Sequence, residues 1–403
     1  MSKIRVLLYT DCNLFGGSEH VIYNIIRNPW LREKCIFSLL YRKSELYDQK
    51  IKELHYDEYC ESISSVNLLT NYSIYGWLKD NLKIKLIRRL LFLPFYLLEK
   101  LGVYRLYNRL ILEKFIKRNN SYDLIHINNG GYPGAISCLQ IAIAAKKCSK
   151  MRILLQVNNL AEDGFERYDS IINSVVSHII TASQNAKNAL LIRRHIDEAT
   201  VTTLPNYVQD MSFHIESKIN VEANHPVKVV QVALLQERKG QRYLIDAIKF
   251  LNSEYPGMYH LQLIGNGEDE SFLRNKIELE HLSEGVELLG YRNDYIEYMK
   301  QADVIALPSI KDEDMPLVIL TSMSMSKAIV SSTVGGIPEE VINGESAILL
   351  NPSEVQQPEC LAAAIREAYK NKNVLGNNAR LRYEAKFSAE SYANSLLKIY
   401  NNI

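Results

Sequence analysis

Short apolar runs recur along this 403-residue chain, each closed by a polar, glycine or proline loop and followed by helical spacing. Ile4–Tyr9 is the first such run and reads as a strand. Thr10–Gly17 is its loop, passing through Leu14-Phe15-Gly16-Gly17. Val21, Ile22, Ile25 and Ile26 then give the next segment one apolar helical face, with Ser18 as a suitable N-cap. Leu124–Ile127, Arg152–Val157, Val227–Leu235, Leu261–Ile264, Val286–Leu289, Val304–Leu307, Ala328–Val330 and Ala347–Leu350 read as further buried strands. Ser137–Lys147 and Glu390–Tyr400 carry helical spacing. Repeated strand–loop–helix units predict parallel α/β architecture. Such sheets bind ligands at the carboxyl ends of their strands, where helix N-termini offer N–H groups to anions.

The pattern is densest from Ala302 to Gly344. Val304–Leu307 stops at Pro308, and a polar loop with Asp312, Glu313 and Asp314 follows. Pro316 stands where a helix should open, because its missing N–H costs nothing there. Met315–Lys327 has helical spacing, and Gly335-Gly336 predicts a tight turn. Pro338 opens a second helix that Asn343-Gly344 ends.

Composition adds bounds. Hydrophobic residues are 47% and charged residues 23% of the chain, enough core for two or three domains. A formal net charge of +1 gives no global signal for nucleic acid. No apolar run reaches the ~18–20 residues of a membrane span. Ile4–Tyr9 is too short for a signal-peptide core. The six cysteines form no C-x-x-C pair, so neither a zinc site nor a disulfide framework is indicated, and a cytoplasmic protein is expected.

Residues 79–118 depart from this balance. Eleven basic side chains face three acidic ones, a net +8, which leaves −7 for the remainder. Leu90–Leu93, Phe95–Leu98, Tyr104, Tyr107 and Phe115 are interleaved with them. Pro94 predicts a break into two helical pieces. Two readings stay open: a surface lying on an anionic membrane, or an ordinary helical pair with a solvated basic face.

The 302–344 stretch resembles a segment of retaining GT-B glycosyltransferases of the family 4 (glycosyl transferases group 1) type. That segment runs P-S-x-x-E-G-F-P-L-V-x-x-E-A-M-A-x-G-K-P-V-V. Glu313, Pro316, Leu317, Val318, Met323, Lys327 and Val330 fit it, as do Pro308 and Ser309 with a loop one residue longer. The second glutamate does not fit, since Thr321 takes its place. Gly16-Gly17, with Glu19, resembles the family's N-terminal glycine loop. Asp123-Leu124-Ile125-His126 resembles its Asp-x-x-His, Ile179-Ile180-Thr181-Ala182-Ser183 its last N-domain strand, and Pro205-Asn206-Tyr207-Val208 its Pro-Asn-Gly-Val. Ala233–Gly240 resembles its Gly-Arg-Leu-x-x-x-Lys-Gly, keeping Lys239 and Gly240 but replacing Gly and Arg by Ala233 and Leu234.

The resemblance implies an α/β GT-B fold: two facing Rossmann-like, doubly wound domains with a cleft between them. The N-terminal acceptor-side domain would span 1–208, a linker 209–226, and the nucleotide-sugar domain 227–384. A terminal helix, 385–403, would cross back to the first domain. The resemblance also implies transfer of a sugar, with retention, from a UDP- or GDP-linked donor to a growing glycan or polyprenyl-linked acceptor in surface polysaccharide synthesis. Glu313, His126 and Lys239 would be the catalytic set. Gly16, Gly17, Arg238, Gly240, Gly265, Tyr291, Arg292, Met315, Pro316, Leu317, Val318 and Thr321 would bind the nucleotide sugar. A departing diphosphate carries negative charge that must be met by cations, a metal or oriented N–H groups. Lys239, the Gly16-Gly17 turn and the amides around Met315–Val318 are the expected means. Asp312 and Asp314 have D-x-D spacing but lie in the glutamate loop, so no metal and no other cofactor is expected. The changes at Leu234 and Thr321 leave open an alternative, a catalytically inactive GT-B subunit that binds a partner or glycan.

Overall fold

The computed structural model describes residues 2–11, 15–164, 166–212 and 225–403. Leu14 of the expected glycine loop and positions 213–224 of the expected linker lie outside these residues. The chain forms two compact units. The first comprises Met1–Thr181, Lys187–Thr202 and Leu396–Ile403; the second comprises Ala182–Ala186 and Thr203–Ser395.

The strands of the first unit are β1 (Ile4–Thr10), β2 (Cys35–Arg42), β3 (Ser62–Val66), β4 (Leu124–Asn129), β5 (Arg152–Val157), β6 (His178–Thr181) and β7 (Val201–Thr203). They form one sheet in the order β3-β2-β1-β4-β5-β6-β7. Strand β1 pairs in parallel with both β2 and β4, so the chain order reverses between β1 and β4. Leu7, Tyr9, Ile125, Ile127, Ile153 and Leu155 are buried on one face, and the alternate positions Val6, Leu8, His126 and Leu154 are buried on the other, the pattern of a sheet covered on both sides.

The second unit holds β8 (Val227–Val232), β9 (Tyr259–Ile264), β10 (Val286–Gly290), β11 (Val304–Leu307), β12 (Ala328–Ser332) and β13 (Ile348–Leu350). Their order is β10-β9-β8-β11-β12-β13 and every pairing is parallel. Here the reversal falls between β8 and β11. In open parallel sheets the carboxyl ends of the two strands at such a reversal flank a crevice.

Three local expectations are corrected. The helix Gly17–Arg27 is capped at Gly16, not Ser18, because the Glu19 carboxylate turns back to Gly16 N at 3.4 Å and takes the Ser18 hydroxyl at 2.7 Å. Pro94 does not divide its segment: one helix, Lys85–Lys100, runs through it. Both Pro94 and Leu90, whose carbonyl loses its bond, face solvent, where water replaces what the proline removes. The helix expected over Met315–Lys327 is shorter, Leu317–Ser324 with Pro316 as its cap, and Ser326 at φ +56° turns the chain out of it.

Candidate functional site

In the second unit, the loops after β8 and β11 are built against each other. Gly240 has φ +76°, and a Cβ there would collide with the Pro308 carbonyl. Gly335 has φ +62°, and a Cβ there would collide with the Glu313 carbonyl. Only glycine permits both the left-handed backbone and the close approach. Ile310 N donates to Arg238 O at 2.8 Å, which joins the two loops, and Gln231 Nε2 of β8 donates to Lys239 O at 2.8 Å, which holds the β8 loop to its own strand.

These loops bring Lys239 and Glu313 into a direct ion pair, with side chains 11% and 6% exposed. Ser309 Oγ donates to the same carboxylate oxygen at 2.7 Å. Arg238 Nη1 donates to Asp312 O at 2.7 Å and stands 3.7 Å from Glu313. Burial lowers the Lys239 pKa, and the Glu313 charge partly restores it. Two cations therefore converge on one buried carboxylate at the reversal point. Arg238, four residues after Leu234, is the second cation beside Glu313.

The other residues expected to bind the donor occupy neighbouring loops. Gly265 (φ +145°), just past the end of β9, lies against the Ala233 carbonyl. Tyr291 is exposed after β10, and Arg292 is held by Asp294 at 2.9 Å. Met315 is buried and its carbonyl accepts from Asn206 Nδ2 at 3.3 Å. Pro316, Leu317 and Val318 form the entry to their helix, whose first N–H groups have no acceptor within it. Thr321 Oγ1 donates to Leu317 O at 2.8 Å, so its proton is spent inside the helix and only its lone pairs remain for a ligand. Asp312 is exposed while Asp314 is buried against the Ser183 hydroxyl, so their D-x-D spacing does not bring them together. Among the described residues no group of three or more His, Cys, Asp or Glu side chains could hold a metal ion.

In the first unit, Gly16 and Gly17 lie past the end of β1. A Cβ at either meets nothing within 4 Å among the described residues, so packing does not demand glycine there. Glu19 is fully buried and is held by Thr10 Oγ1 at 3.1 Å. His126, expected in the catalytic set, lies in β4. It is fully buried, Nδ1 meets Tyr400 Oη at 2.7 Å and Nε2 meets Gln156 Oε1 at 2.9 Å. Burial lowers its pKa to about 4, against the opposing hydrogen bond to Gln156 Oε1. Both ring nitrogens are engaged, and the neutral imidazole locks a core.

Residues 226–371 match the protein family described as glycosyl transferases group 1. The second unit is therefore similar to glycosyl transferases group 1 proteins over this stretch. Over 193 residues it is 25% identical to the amylovoran biosynthesis glycosyltransferase AmsK of Erwinia amylovora, covering 46% of this chain and 47% of that protein. Over 149 residues it is 30% identical to the colanic acid biosynthesis glycosyltransferase WcaL of Salmonella typhimurium, covering 35% and 36%. These matches span less than half the length of the curated relatives. The crystal structure of Anabaena Alr3699/HepE in complex with UDP superposes with a TM-score of 0.73 at 17% identity, covering 99% of this chain and 100% of that one. The fold is GT-B, α/β with two parallel sheets.

Within the second unit, sequence reasoning passed over a buried acidic group beside Glu313. Burial pushes Asp314 up to about 7, opposed by the Ser183 hydroxyl bond and reinforced by the Glu339 and Glu313 charges. Glu340 is fully buried, and neither carboxylate oxygen has a hydrogen-bond partner among the described residues. Burial raises its pKa well above the ordinary range, with Asp314 adding to the effect. The signal was the pair Glu339-Glu340 just after Pro338, which reads as a helix start and hides that one glutamate points inward.

Proposed function

We propose that this chain moves a sugar, with retention, from a nucleoside-diphosphate sugar to a growing glycan or lipid-linked acceptor in surface polysaccharide synthesis. The observation that carries the reading is the convergence of Lys239 and Arg238 on Glu313 at the reversal point of the second unit. Its support is chemical. When the bond from the anomeric carbon to the phosphate oxygen breaks, the diphosphate leaves with its electron pair. Lys239, Arg238 and the amides at Leu317 and Val318 meet that charge in this reading, and Glu313 accepts from hydroxyls of the donor sugar. The acceptor oxygen bonds to the anomeric carbon from the same face, and its proton passes to the departing phosphate. This distribution of charge makes a divalent ion dispensable. The relatives named for amylovoran and colanic acid biosynthesis support the acceptor class, and HepE, solved with UDP, supports a uridine-linked donor.

One observation favours the alternative of a non-catalytic subunit: Thr321 bonds to its own helix where the family places a glutamate. A neutral hydroxyl in place of a carboxylate weakens the nucleotide by ~1–2 kcal/mol, about tenfold. That loss lowers affinity without removing the charge-neutralising groups. The test is incubation with UDP-, GDP- and ADP-sugars, with and without EDTA, measuring released nucleotide. Release unaffected by EDTA is the expected result. No release and no nucleotide binding with any donor would establish the inactive reading.

A further inference from the structure

The first unit contains a helix built inside out. Lys85–Lys100 has no buried residue along its whole length. At about 100° per residue, Leu86, Leu90, Leu93, Leu97 and the capping Leu101 fall within one narrow stripe. All five face solvent, between 51% and 79% exposed. The opposite edge holds the helix to the protein: Phe92 packs on Tyr75 at 5.2 Å, and Glu99 accepts from Asn71. Lys85, Arg89 and Lys100 flank the stripe.

The next helix, Val103–Arg118, repeats the arrangement. Its inner face is anchored by Asn108, which bonds Leu69 N at 2.8 Å and Leu69 O at 2.9 Å. Its outer face presents Val103, Leu106, Tyr107 and Leu110, followed on the same side by Lys114 and Lys117. Trp77, on the preceding helix, is 64% exposed. Isolated surface leucines are ordinary, whereas two helices aiming whole apolar stripes outward are not.

The charge names the occupant. Residues 79–118 carry a net +8. Of the three acids, Glu113 is spent on Arg109 and Lys147, and Glu99 on Asn71. Among the described residues Lys83, Lys85 and Arg89 form no ion pair. A second copy meeting this face would set like charges against each other. A lipid surface with anionic headgroups offers an apolar layer for the leucines and phosphates for the flanking cations. No helix among the described residues is long and apolar enough to cross a membrane, so the helices would lie in the interface plane. We infer that the outward face of Lys85–Lys100 and Val103–Arg118 docks this chain on an anionic membrane surface. The assignment does not depend on the sugar-transfer reading.

The test is flotation of the full chain with vesicles of phosphatidylcholine alone or mixed with phosphatidylglycerol, at low and physiological salt, with no donor present. Binding to the anionic vesicles only, weakened by salt, is expected. Lys83→Gln/Lys85→Gln/Arg89→Gln should lower partitioning about 100-fold, at roughly fivefold per cation. Leu90→Ser/Leu93→Ser/Leu97→Ser should abolish it. None of these side chains is buried, so both variants should keep the native circular dichroism and melting temperature. Equal binding to neutral vesicles, absence of binding at low salt, or native-like binding by the leucine variant would overturn the proposal. So would a native dimer that the leucine variant dissociates while no vesicle binding is seen, since the face would then be a contact between copies. Loss of nucleotide release would leave this measurement untouched.

Discussion

Replacing Lys239 by methionine removes the ammonium and keeps most of the stem. Glu313, 6% exposed at its side chain, would then retain only the Ser309 hydroxyl and Arg238 at 3.7 Å. At an effective dielectric near 20, two unit charges about 3 Å apart attract by roughly 5–6 kcal/mol. Dehydration of both groups offsets most of that attraction in the native protein. Removing one partner takes the attraction and leaves the dehydration of the other, a loss of about 3–5 kcal/mol in buried pairs. Arg238 and Ser309 place this case at the low end, about 3 kcal/mol. Adding Glu313→Gln to Lys239→Met removes the stranded charge and should return about 2 kcal/mol of the loss. Urea unfolding followed by circular dichroism measures both. Nucleotide release, on the proposed function, should fall about 10²–10³-fold in either variant. The double variant would thus be nearly stable yet inactive. Equal stability of the single and double variants would refute the argument, because it would show that Glu313 was not stranded.

Asp314, raised by burial from 3.8 to about 7, binds its proton more tightly in the folded chain. Its contribution to stability is complete below pH about 4 and is lost as pH rises towards 7, by at most about 4 kcal/mol. Asp314→Asn should therefore gain on the native chain in urea unfolding at pH 8 relative to pH 5. His126 has the opposite sign: lowered by burial from 6.5 to about 4, it contributes stability above pH about 6.5 that is lost as pH falls through 4, at most about 3 kcal/mol. His126→Gln should flatten the acid side of the unfolding profile, and an unchanged profile would remove the buried-imidazole account. Gly335→Ala combines a left-handed backbone, worth about 1–2 kcal/mol, with a collision against the Glu313 carbonyl. Its melting temperature should fall and nucleotide release with it, and a native-like melt would show that the turn can relax.

Most strands were legible because each is a short apolar run closed by a loop residue, as in Val304–Leu307 ending at Pro308; β2, β3 and β7 were not read, and β3, Ser62–Val66, is mostly serine with only Ile63 and Val66 apolar. The pairing of Lys239 with Glu313 was foreshadowed by where their loops stand in a parallel sheet. Other features depend on partners distant in sequence. His126 reads as a strand-end ligand until Tyr400 is seen against it. Asp314 and Glu340 look like surface acids, because burial is a tertiary property with no local signature. Pro94 suggested a break by a rule that holds where the freed carbonyl cannot reach water, and here it can. The leucines at 86, 90, 93, 97 and 101 showed helical spacing in the sequence, but spacing does not say which way a stripe faces.

The placement of Leu396–Ile403 in the first unit sets an order for synthesis. Tyr400 reaches His126, and its carbonyl accepts from Arg152, yet the whole second sheet is translated between them. The first sheet can assemble early on the ribosome, but its imidazole stays without one partner until much later. A fragment ending near Thr202 would emerge with that slot uncovered, and a peptide spanning 396–403, supplied separately, should close it.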